Sequence, residues 1–485
     1  MPYGSKVAKN AAWLMLATTG QKVLAFFSFI IVARLSGTDI TGAYFYAISI
    51  TSIFVTFADL GMTPVVIRAI SGHREDGDRL LGAAIRAKGL LAPLASLGAM
   101  LFALLAGGDA TIIATVGIAC LVMTADSIHL VIYGALRGKQ NLRPEAIGMF
   151  IGQSLSAVTA ASAAYFKTGP VGLAVALLLS SVWNVGWSLY QAKRLKVIAA
   201  EPRKSDFRVL AREAIPFGLA GMAVKVYSYV DSLFLKHFHG VTDVGVYAVA
   251  YKLTYALQFL PLTFTAALYP ALSAAFAKGE KEDVRNTFLG ALRLMAAVGF
   301  VLTAGVSALA PRIIPLIYGE EFIAAVPALS VLPWVLLPIF MDFPIGALLN
   351  ASHRAHLKTT AMLCTMVLNI LLNLFLVPLF GPVGAAWAGV ISFWSLYLIG
   401  VGFIAGSVGG AGRLLWLTAR ALISAVVAWI AWRMIGGRMD LFASMCFGGA
   451  ISVVMAFATR LVTVDDVFGI WKRFRPSTKL EDIHE

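Results

Sequence analysis

Charged residues are scarce in this sequence. Asp, Glu, Lys and Arg make up 13% of its 485 residues, whereas soluble globular proteins carry about 25%. The hydrophobic fraction is 59% and the mean hydropathy is +0.82. A helix needs ~20 mostly apolar residues to cross the ~30 Å hydrocarbon core of a bilayer. Because many segments have that length, the sequence predicts an all-α membrane protein with many spans and no separate soluble catalytic domain.

The sequence also lacks the motifs of common catalytic and metal sites. It contains no G-x4-G-K-[ST] loop, no H-E-x-x-H or G-x-S-x-G motif and no Cys/His cluster. Its three cysteines lie singly inside apolar segments, which is typical of small buried hydrophobic residues. We therefore expect no enzyme activity, no metal site and no cofactor.

Apolar runs between charged clusters predict about fourteen spans, arranged as two six-helix lobes and a C-terminal helix pair. The predicted spans are 11–33, 43–66, 86–107, 111–135, 146–166, 171–192, 214–236, 244–270, 287–309, 323–349, 357–379, 383–406, 414–436 and 441–462. The predicted domains are an N-terminal lobe (1–192), a cytoplasmic linker (193–213), a C-terminal lobe (214–407), the additional helix pair (408–462) and a cytoplasmic tail (463–485).

Lysine and arginine are unevenly distributed among the loops, although the net charge is +14. With a cytoplasmic N-terminus, and with basic residues near the ends of spans counted with the adjacent loop, the inside segments hold 30 of the 39 basic residues and the outside loops hold 6, which leaves 3 in the interior of spans. Short cytoplasmic loops carry such an excess in membrane proteins, so we expect both termini in the cytoplasm. No basic stripe interleaved with aromatic residues occurs outside the spans, so nucleic acid is not an expected partner.

The chain also repeats itself. RLSGTDITGAYFYA (34–47) and HFHGVTDVGVYAVA (237–250) share the pattern G-x4-G-x-Y at an offset of 203, and the same offset pairs Lys22 with Lys225. Further on, TGPVGLA recurs as FGPVGAA 212 residues later. Because six spans per copy is an even number, both copies enter the membrane from the same face. Parallel repeats of this kind form two lobes with a site between them.

Lys22 and Lys225 lie in the middle of the first helix of each repeat. A charge at the centre of a bilayer costs ~2.5–3.5 kcal/mol on insertion scales. Each lysine shares a helix face with small or polar residues, and Tyr229 is on the face of Lys225. Both lysines either face a wet cavity between the lobes or pair with a carboxylate.

A third lysine within the spans, Lys252, is one turn from Tyr255. It either contributes to binding a ligand or forms an ion pair with Asp231. The acids within the spans are Asp59, Asp126, Asp231 and Asp342. Each is a candidate to carry a coupled proton and otherwise serves as a fixed partner of a lysine or a helix end. Asp126 is three residues from His129, so the two side chains can touch.

Several short motifs resemble the polysaccharide flippases of the multidrug, oligosaccharidyl-lipid and polysaccharide exporter superfamily, and the Wzx-type subgroup in particular. The likeness extends from about residue 8 to residue 405. The matching residues are Ala33-Arg34-Leu35-Ser36-Gly37, Gly42-Ala43-Tyr44, Asp59-Leu60-Gly61, Arg68, Pro216-Phe217-Gly218, Asp231, Val244-Gly245-Val246-Tyr247, Tyr251-Lys252, Tyr269-Pro270, Ile317-Tyr318-Gly319 and Leu349-Asn350-Ala351.

This resemblance implies a bilobed, MATE-like fold with alternating access to a central cavity. It implies a cargo of polyprenyl-pyrophosphate-linked oligosaccharide, flipped to the outer leaflet of a bacterial cytoplasmic membrane for cell-surface polysaccharide synthesis. A proton or sodium ion is then the coupling cation, and a polysaccharide polymerase with its chain-length machinery is the partner. The residues that fit substrate binding are Lys22, Lys225, Lys252, Tyr229 and Tyr255, and those that fit coupling or gating are Asp59, Asp126, Asp231, Arg34 and Arg68.

Two related functions and two other classes of protein remain as alternatives. A lipid II flippase or a cation-coupled multidrug exporter has the same fold, and the exporter should prefer acids over lysines in its cavity. A membrane glycosyltransferase needs a long outer loop with catalytic groups, and none of the predicted outer loops is long. A channel or a purely structural membrane protein is the remaining alternative.

Overall fold

The computed structural model describes residues 3–197, 199–436 and 439–462. Every regular element in these ranges is a helix, with no strand among them, as the long apolar runs predict. The predicted tail 463–485 lies outside the described residues. The α-helices are α1 (Tyr3–Asp59), α2 (Met62–Ser71), α3 (Gly77–Leu105), α4 (Ala110–Gly138), α5 (Arg143–Tyr165), α6 (Gly169–Arg194), α7 (Lys204–His239), α8 (Val241–Ala256), α9 (Phe259–Lys278), α10 (Lys281–Tyr318), α11 (Val326–Val331), α12 (Leu336–Ala351), α13 (Ala355–Ile404), α14 (Ala411–Gly436) and α15 (Leu441–Ala458), with 3-10 turns at Glu320–Ala325, Leu332–Val335 and Ala405–Ser407.

Glycines mark corresponding backbone breaks in the two repeats. Gly37 inside α1 has φ 77° and ψ −179°, and Gly240, one repeat later, has φ 95° and ψ −179° between α7 and α8. Gly169 and Gly381 also correspond, with φ 74° and 53°. Positive φ values of this size are open to glycine at little steric cost. The repeated motifs therefore encode repeated breaks of the chain direction.

Eleven helical stretches of the described residues are long and apolar enough to cross a membrane. The chain is therefore a multi-pass membrane protein, although fourteen spans are not confirmed as a number. Helices α1 and α13 each run through a glycine break, so each joins two predicted spans in one stretch. Helix α7 is not among the eleven, and it carries Lys225, Asp231 and Lys236 along its length.

The chain packs as two compact units that are interleaved along the sequence. Unit 1 consists of the described residues of Met1–Phe259, Ala310–Leu332 and Ala355–Leu396. Unit 2 consists of those of Leu260–Leu309, Pro333–Arg354 and Tyr397–Glu485. Most of α10 and the whole of α14 and α15 belong to unit 2.

Small side chains allow the helices of unit 1 to pack closely. One buried cluster joins α2, α3, α4 and α7 through alanine, valine and leucine residues, including Val65, Ala84, Ala135 and Ala214. Helix packing inside membranes relies on such close approach, because lipid tails are as apolar as the side chains that they would replace. This packing holds the helices around the cavity described next.

Candidate functional site: a charged cavity in unit 1

Unit 1 contains a cavity of about 630 Å³ that is bordered by residues of α1, α2, α4, α5, α6 and α7. This volume falls within the ~300–1,000 Å³ range of small-molecule sites. Polar side chains such as Gln21 and Gln153 lie among apolar ones in its wall. Its charged or titratable lining residues are Asp59, Asp126, His129 and Lys225.

Asp126 on α4 and Lys225 on α7 both line this cavity, and their opposite charges attract each other. Asp126 accepts a hydrogen bond of 2.6 Å from the Ser181 hydroxyl on α6, and its carboxylate lies 3.6 Å from Nδ1 of His129. The contact between Asp126 and His129 is the one that their three-residue spacing predicts. The carboxylate is thus held by α4 and α6 on the wall that also carries the lysine.

A cluster of aromatic rings lies beside Lys225. The ring of Phe45 on α1 has its centroid 5.5 Å from that of Tyr251 and 6.4 Å from that of Tyr229. Tyr251 is in turn 4.3 Å from Tyr255 on the same helix, α8. Nζ of Lys225 lies 5.5 Å from the centroid of the Tyr229 ring. The lysine therefore lies between the cavity and the aromatic cluster.

Lys252 contacts the same cluster from α8. Its Nζ lies 5.4 Å from the ring centroid of Phe29 and 5.5 Å from that of Phe45. A cation over an aromatic face gains ~0.5–2 kcal/mol, more when it is desolvated. Rings therefore offset part of the cost of keeping two ammonium groups in the membrane. The predicted substrate-binding residues that the structure brings to this cluster are Lys225, Lys252, Tyr229 and Tyr255.

Lys22 occupies a different environment from its counterpart in the second repeat. Its side chain is exposed and is not part of the cavity lining, although the preceding residue, Gln21, is. Lys225, by contrast, is only partly exposed and lines the cavity. The two lysines therefore have different surroundings, although they occupy corresponding positions in the repeat.

Asp231 is buried away from the cavity lining. Its carboxylate accepts a hydrogen bond from the hydroxyl of Tyr247. The ion pair between Lys252 and Asp231 that the sequence left open is not among the ion pairs of the described residues, because the ammonium group lies over the rings of Phe29 and Phe45.

Asp59 belongs to a network around a lysine that the sequence analysis missed. Nζ of Lys88 lies 2.5 Å from the Asp59 carboxylate, 3.2 Å from the Thr63 hydroxyl and 3.2 Å from the carbonyl oxygen of Ser127. The Lys88 side chain is only 2% exposed. The predicted span 86–107 has Lys88 in its first turn, where it was counted with the cytoplasmic loop. Because α3 begins at Gly77, Lys88 lies well inside this helix. The apolar residues between Gly77 and Lys88 are the signal that could have revealed it.

Arg68 is part of a charged cluster that joins the loop before α3 to α7. Its guanidinium group lies 3.3 Å from Glu213, which also pairs with Arg74 at 2.9 Å. Arg74 in turn holds Asp76 at 2.8 Å, and this hydrogen-bonded guanidinium lowers the pKa of the Asp76 carboxyl. Close by, Gly61 lies against Gly218 of α7. A methyl group on either glycine would collide with backbone atoms of the other segment. We call Arg68, Arg74, Asp76 and Glu213 the Glu213 cluster.

At the other end of the cavity-lining part of α1, the chain packs closely against the start of α8. A methyl group on Gly42 would collide with the carbonyl oxygen of Val241, and one on its repeat counterpart Gly245 with that of Thr38. We call this close approach the Gly42–Gly245 contact. Beside it, the Thr242 hydroxyl donates a hydrogen bond of 2.5 Å to Asp39, and these two residues are also exactly one repeat of 203 residues apart.

Arg34 lies close to this contact in the sequence, just before the Gly37 break of α1. Its guanidinium group donates a hydrogen bond of 3.2 Å to the carbonyl oxygen of Leu316, and Glu321 accepts one of 2.9 Å from the backbone of Thr38. The cavity-lining residues of α1 from Ile48 to Asp59 lie between this end and the Glu213 cluster. The predicted gating residues Arg34 and Arg68 are thus found near opposite ends of that stretch.

Among the residues that the structure describes, no group of three or more His, Cys, Asp or Glu side chains is placed to hold a metal ion. The polar groups of the cavity come from several helices, among them α1, α4, α6 and α7.

Comparisons with solved structures define the fold. The inward closed conformation of the lipid II flippase MurJ has a TM-score of 0.74 at 13% sequence identity, covering 94% of this chain and 99% of that chain. The inward-facing conformation of a multidrug resistance MATE transporter of the MOP superfamily has a TM-score of 0.64 at 18% identity, covering 80% and 95% respectively. The chain therefore has the all-α membrane fold of MATE and MurJ transporters.

Sequence comparisons define the family. A family model described as polysaccharide biosynthesis protein matches residues 7–276, and the MatE model matches residues 216–375. A probable low-salt glycan biosynthesis flippase of Haloferax volcanii, Agl15, is 23% identical over 80% of this chain and 81% of its own length. This chain belongs to the polysaccharide biosynthesis protein family, which confirms the superfamily that the sequence motifs indicate.

Proposed function

We propose that this protein is a flippase that moves a lipid-linked oligosaccharide from the cytoplasmic to the outer leaflet of a membrane, for the synthesis of a surface glycan. The observation that carries the proposal is a membrane cavity with Lys225 in its wall and Lys252 on the adjoining aromatic cluster. The family and the relative Agl15, which is itself named a flippase of glycan biosynthesis, support the substrate class.

The two ammonium groups suit the anionic part of such a substrate. A polyprenyl pyrophosphate carries negative charge that must pass through a region of low dielectric constant, where opposite charges attract strongly. Lysine binds phosphate as a point charge without a fixed fork geometry, which tolerates a headgroup that changes position during transport. The aromatic rings next to Lys225 and Lys252 offer flat apolar faces beside this charge, on which sugar rings can lie.

Asp126 gives the cavity a means of coupling. While the site is empty, Asp126 neutralises part of the charge of Lys225. A bound phosphate takes over that role, and the released carboxylate then binds a proton or sodium ion. Exchange of the two partners of Lys225 would link the movement of the cation to that of the lipid.

The driving force is proposed to be an ion gradient or the membrane potential, since the sequence has no nucleotide-binding loop. Moving one charge through 100 mV is worth ~2.3 kcal/mol, and outward movement of an anion from a negative cytoplasm is favoured. We place the chain in a bacterial cytoplasmic membrane with both termini inside. A polysaccharide polymerase would use the flipped product on the outer side of that membrane. In this mechanism the lobes 1–192 and 214–407 rock against each other.

A second candidate is a cation-coupled exporter of small cationic compounds. It is favoured by the two carboxylates, Asp59 and Asp126, that line the same cavity. The Asp59 carboxylate is already neutralised by Lys88 at 2.5 Å, and Asp126 faces Lys225. The lysines therefore leave little net negative charge for a cationic drug, and the anionic cargo fits better.

The test is transport of a fluorescent polyprenyl-pyrophosphate oligosaccharide by the full chain in proteoliposomes. Lys225→Ala should lower the initial rate by roughly tenfold or more, because a charged hydrogen bond is worth ~1.5–3 kcal/mol. Lys225→Arg should keep part of the activity, since it keeps the charge. Lys278→Ala removes a lysine whose side chain is 69% exposed and serves as the matched control.

Two results would contradict the proposal. One is a Lys225→Ala protein that flips the labelled lipid at the wild-type rate. The other is a wild-type protein that exports cationic dyes from the same vesicles but leaves the lipid in place, which would favour the second candidate. Equal loss with Lys278→Ala would show that the assay reports protein quality instead of binding.

A further inference from the structure

Unit 2 contains a separate cavity that is unusually rich in arginine. Its volume is about 410 Å³, and its wall includes Arg293 of α10, Arg413 and Arg420 of α14, and Arg460, two residues past the end of α15. Four guanidinium groups from three segments thus converge on one small space. The proposed transport mechanism uses none of them.

The positive charge of this cavity is not balanced by the described part of the chain. In residues 3–197, 199–436 and 439–462, no carboxylate lies within 4.0 Å of these four guanidinium groups in an ion pair. Arg293 and Arg460 lie close enough to Arg420 to repel it. In addition, Nη2 of Arg420 is buried and has no hydrogen-bond partner among the described residues. Burying an unpaired charged donor is costly, so the cavity is suited to an anion.

The position of the cavity indicates where that anion comes from. Arg413 is in the first turn of α14, Arg460 directly follows α15, and Arg293 is in the first half of α10. The cavity therefore lies towards one end of these apolar helices, where the polar surface of a bilayer meets its hydrocarbon core. Trp416 also lines the cavity and is 65% exposed. Tryptophan is enriched at this depth in membrane proteins.

An apolar surface continues from the cavity along α14. The side chains of Trp416, Ile423, Val427 and Ile430 are all exposed. Their spacing of seven, four and three residues places them on one side of the helix. This stripe is long enough to accompany an acyl chain from the arginine cavity into the hydrocarbon region.

We propose that the arginine cavity of unit 2 binds the phosphate group of an anionic lipid, with the lipid chains lying along the exposed stripe of α14. The four guanidinium groups pair with the phosphate oxygens, and Arg420 then gains a partner for its buried donor. A bilayer phospholipid and a polyprenyl phosphate share this chemistry. The site is distinct from the cavity of unit 1, so it adds a lipid-binding function that does not depend on the proposed cargo.

The test is binding of defined lipids to the full chain in detergent, measured by native mass spectrometry and by thermal stabilisation. The probes are phosphatidylglycerol, phosphatidylcholine, a polyprenyl phosphate and inorganic phosphate. We expect an anionic lipid to bind and to raise the melting temperature, and phosphatidylcholine to do neither. The preferred anionic lipid then identifies the source of the phosphate.

Variants show whether the arginine cavity is the site. The pair Arg293→Gln with Arg420→Gln should weaken binding of the anionic lipid by roughly tenfold or more, because it removes two of the four positive charges that attract the phosphate. Arg460→Gln changes an exposed member of the four and should fold even if the double variant does not. Arg208→Gln, an exposed arginine of α7, is the matched control and should bind as the wild type does.

Three outcomes would overturn the proposal. Phosphatidylcholine could bind as tightly as phosphatidylglycerol, which would show a general lipid surface. Inorganic phosphate could stabilise the protein as much as any lipid, which would show a small-anion site. Folded Arg293→Gln/Arg420→Gln and Arg460→Gln proteins could both retain wild-type lipid affinity, which would place the binding elsewhere.

Discussion

At the residue scale, lysine has several roles in this membrane protein, and each depends on its neighbours. Lys88 is neutralised by Asp59 in a buried ion pair, and Lys252 lies over two aromatic rings. Lys225 has a carboxylate and a ring nearby and also reaches the cavity. An unpaired charge is expensive in the membrane. We therefore propose that Lys225 is the one of these three that exchanges its partner for a ligand.

Asp126→Asn should change the pH dependence of transport. The groups facing Asp126 are Ser181, His129 and Lys225, and both His129 and the carboxylate can exchange protons with the cavity. Over an assay range of about pH 5 to 8, we expect Asp126→Asn to flatten the rate profile while substrate binding is retained, because the variant lacks the carboxylate that is proposed to bind the coupling proton. The measurement is the initial rate of flipping in vesicles of fixed internal pH.

Asp76→Asn is the matched control for that experiment. Arg74 lowers the pKa of the Asp76 carboxyl below its ordinary value, so its ionised form is favoured in the folded protein. The stabilising charge is present above the ordinary aspartate pKa of ~3.9 and is lost only as the pH falls through the lowered value. Asp76→Asn should therefore leave the shape of the profile unchanged over the same range. Equal flattening in both variants would argue against coupling through Asp126.

Lys88→Ala should destabilise the protein without removing a direct ligand. It leaves Asp59 without its ammonium partner, which we expect to cost about 1–3 kcal/mol. This is less than the ~3–5 kcal/mol of a fully buried pair, because 34% of the Asp59 side chain is exposed. Thermal unfolding in detergent measures the change. Adding Asp59→Asn to Lys88→Ala should recover part of the stability, and a further loss would contradict the pairing.

At the element scale, glycines determine where helix α1 changes direction and where it packs closely against α8. Gly37 breaks α1 with a positive φ, and Gly42 lets the next segment touch the backbone of α8. The counterparts Gly240 and Gly245 do the same for the second repeat. Two related helices thus meet through equivalent positions, so the internal repeat also describes a contact between the copies.

Gly42→Ala and Gly245→Ala should weaken the contact between α1 and α8. In each case the added methyl group meets a backbone carbonyl oxygen, which cannot move aside as a flexible side chain can. Overpacking of this kind costs about 1–3 kcal/mol, and we expect lower thermal stability together with slower flipping. Gly290→Ala in α10 is the control, since its methyl group meets nothing within 4 Å.

The control variant Gly290→Ala has its own expected effect on stability. Alanine favours a helix over glycine by ~1 kcal/mol, so Gly290→Ala should leave the protein as stable as the wild type or slightly more stable. Wild-type melting and transport in both Gly42→Ala and Gly245→Ala would mean that the close approach of α1 and α8 is not required.

At the scale of the whole molecule, contacts occur near both ends of the cavity-lining stretch of α1. The Gly42–Gly245 contact with the Asp39–Thr242 hydrogen bond is at one end, and the Glu213 cluster is at the other. Alternating access requires these two ends to open in turn. A flippase of this fold should therefore stop when either end is held shut.

Cross-linking one end tests that requirement. Asp39→Cys and Thr242→Cys, in a background without the three native cysteines, can be joined by a short bifunctional thiol reagent because both positions are exposed. We expect flipping to stop after cross-linking and to return after cleavage of a reducible linker. Single-cysteine variants treated in the same way are the controls. Full transport by the cross-linked protein would exclude opening at this end.

Much of the fold follows from the sequence. Apolar runs predicted the helices, and the superfamily motifs predicted the MATE-like fold that the structural comparisons confirm. The sequence analysis counted Lys88 with the preceding loop because it took the third span to begin at residue 86, and helix ends are the least reliable part of such predictions. It treated Lys22 and Lys225 alike because they correspond in the repeat. Only neighbours from other helices distinguish their surroundings.

The sequence alone determined that this protein crosses a membrane many times, that it contains a duplicated unit and that a few lysines are unusual in it. These conclusions depend on the length, hydropathy and spacing of segments, which are properties along the chain. The tertiary structure decided which charged groups lie near each other: Lys88 pairs with Asp59, Asp126 and Lys225 line one cavity, and four arginines line a second cavity. Electrostatic interactions depend on distance in space and on local burial, and residues far apart in sequence set both.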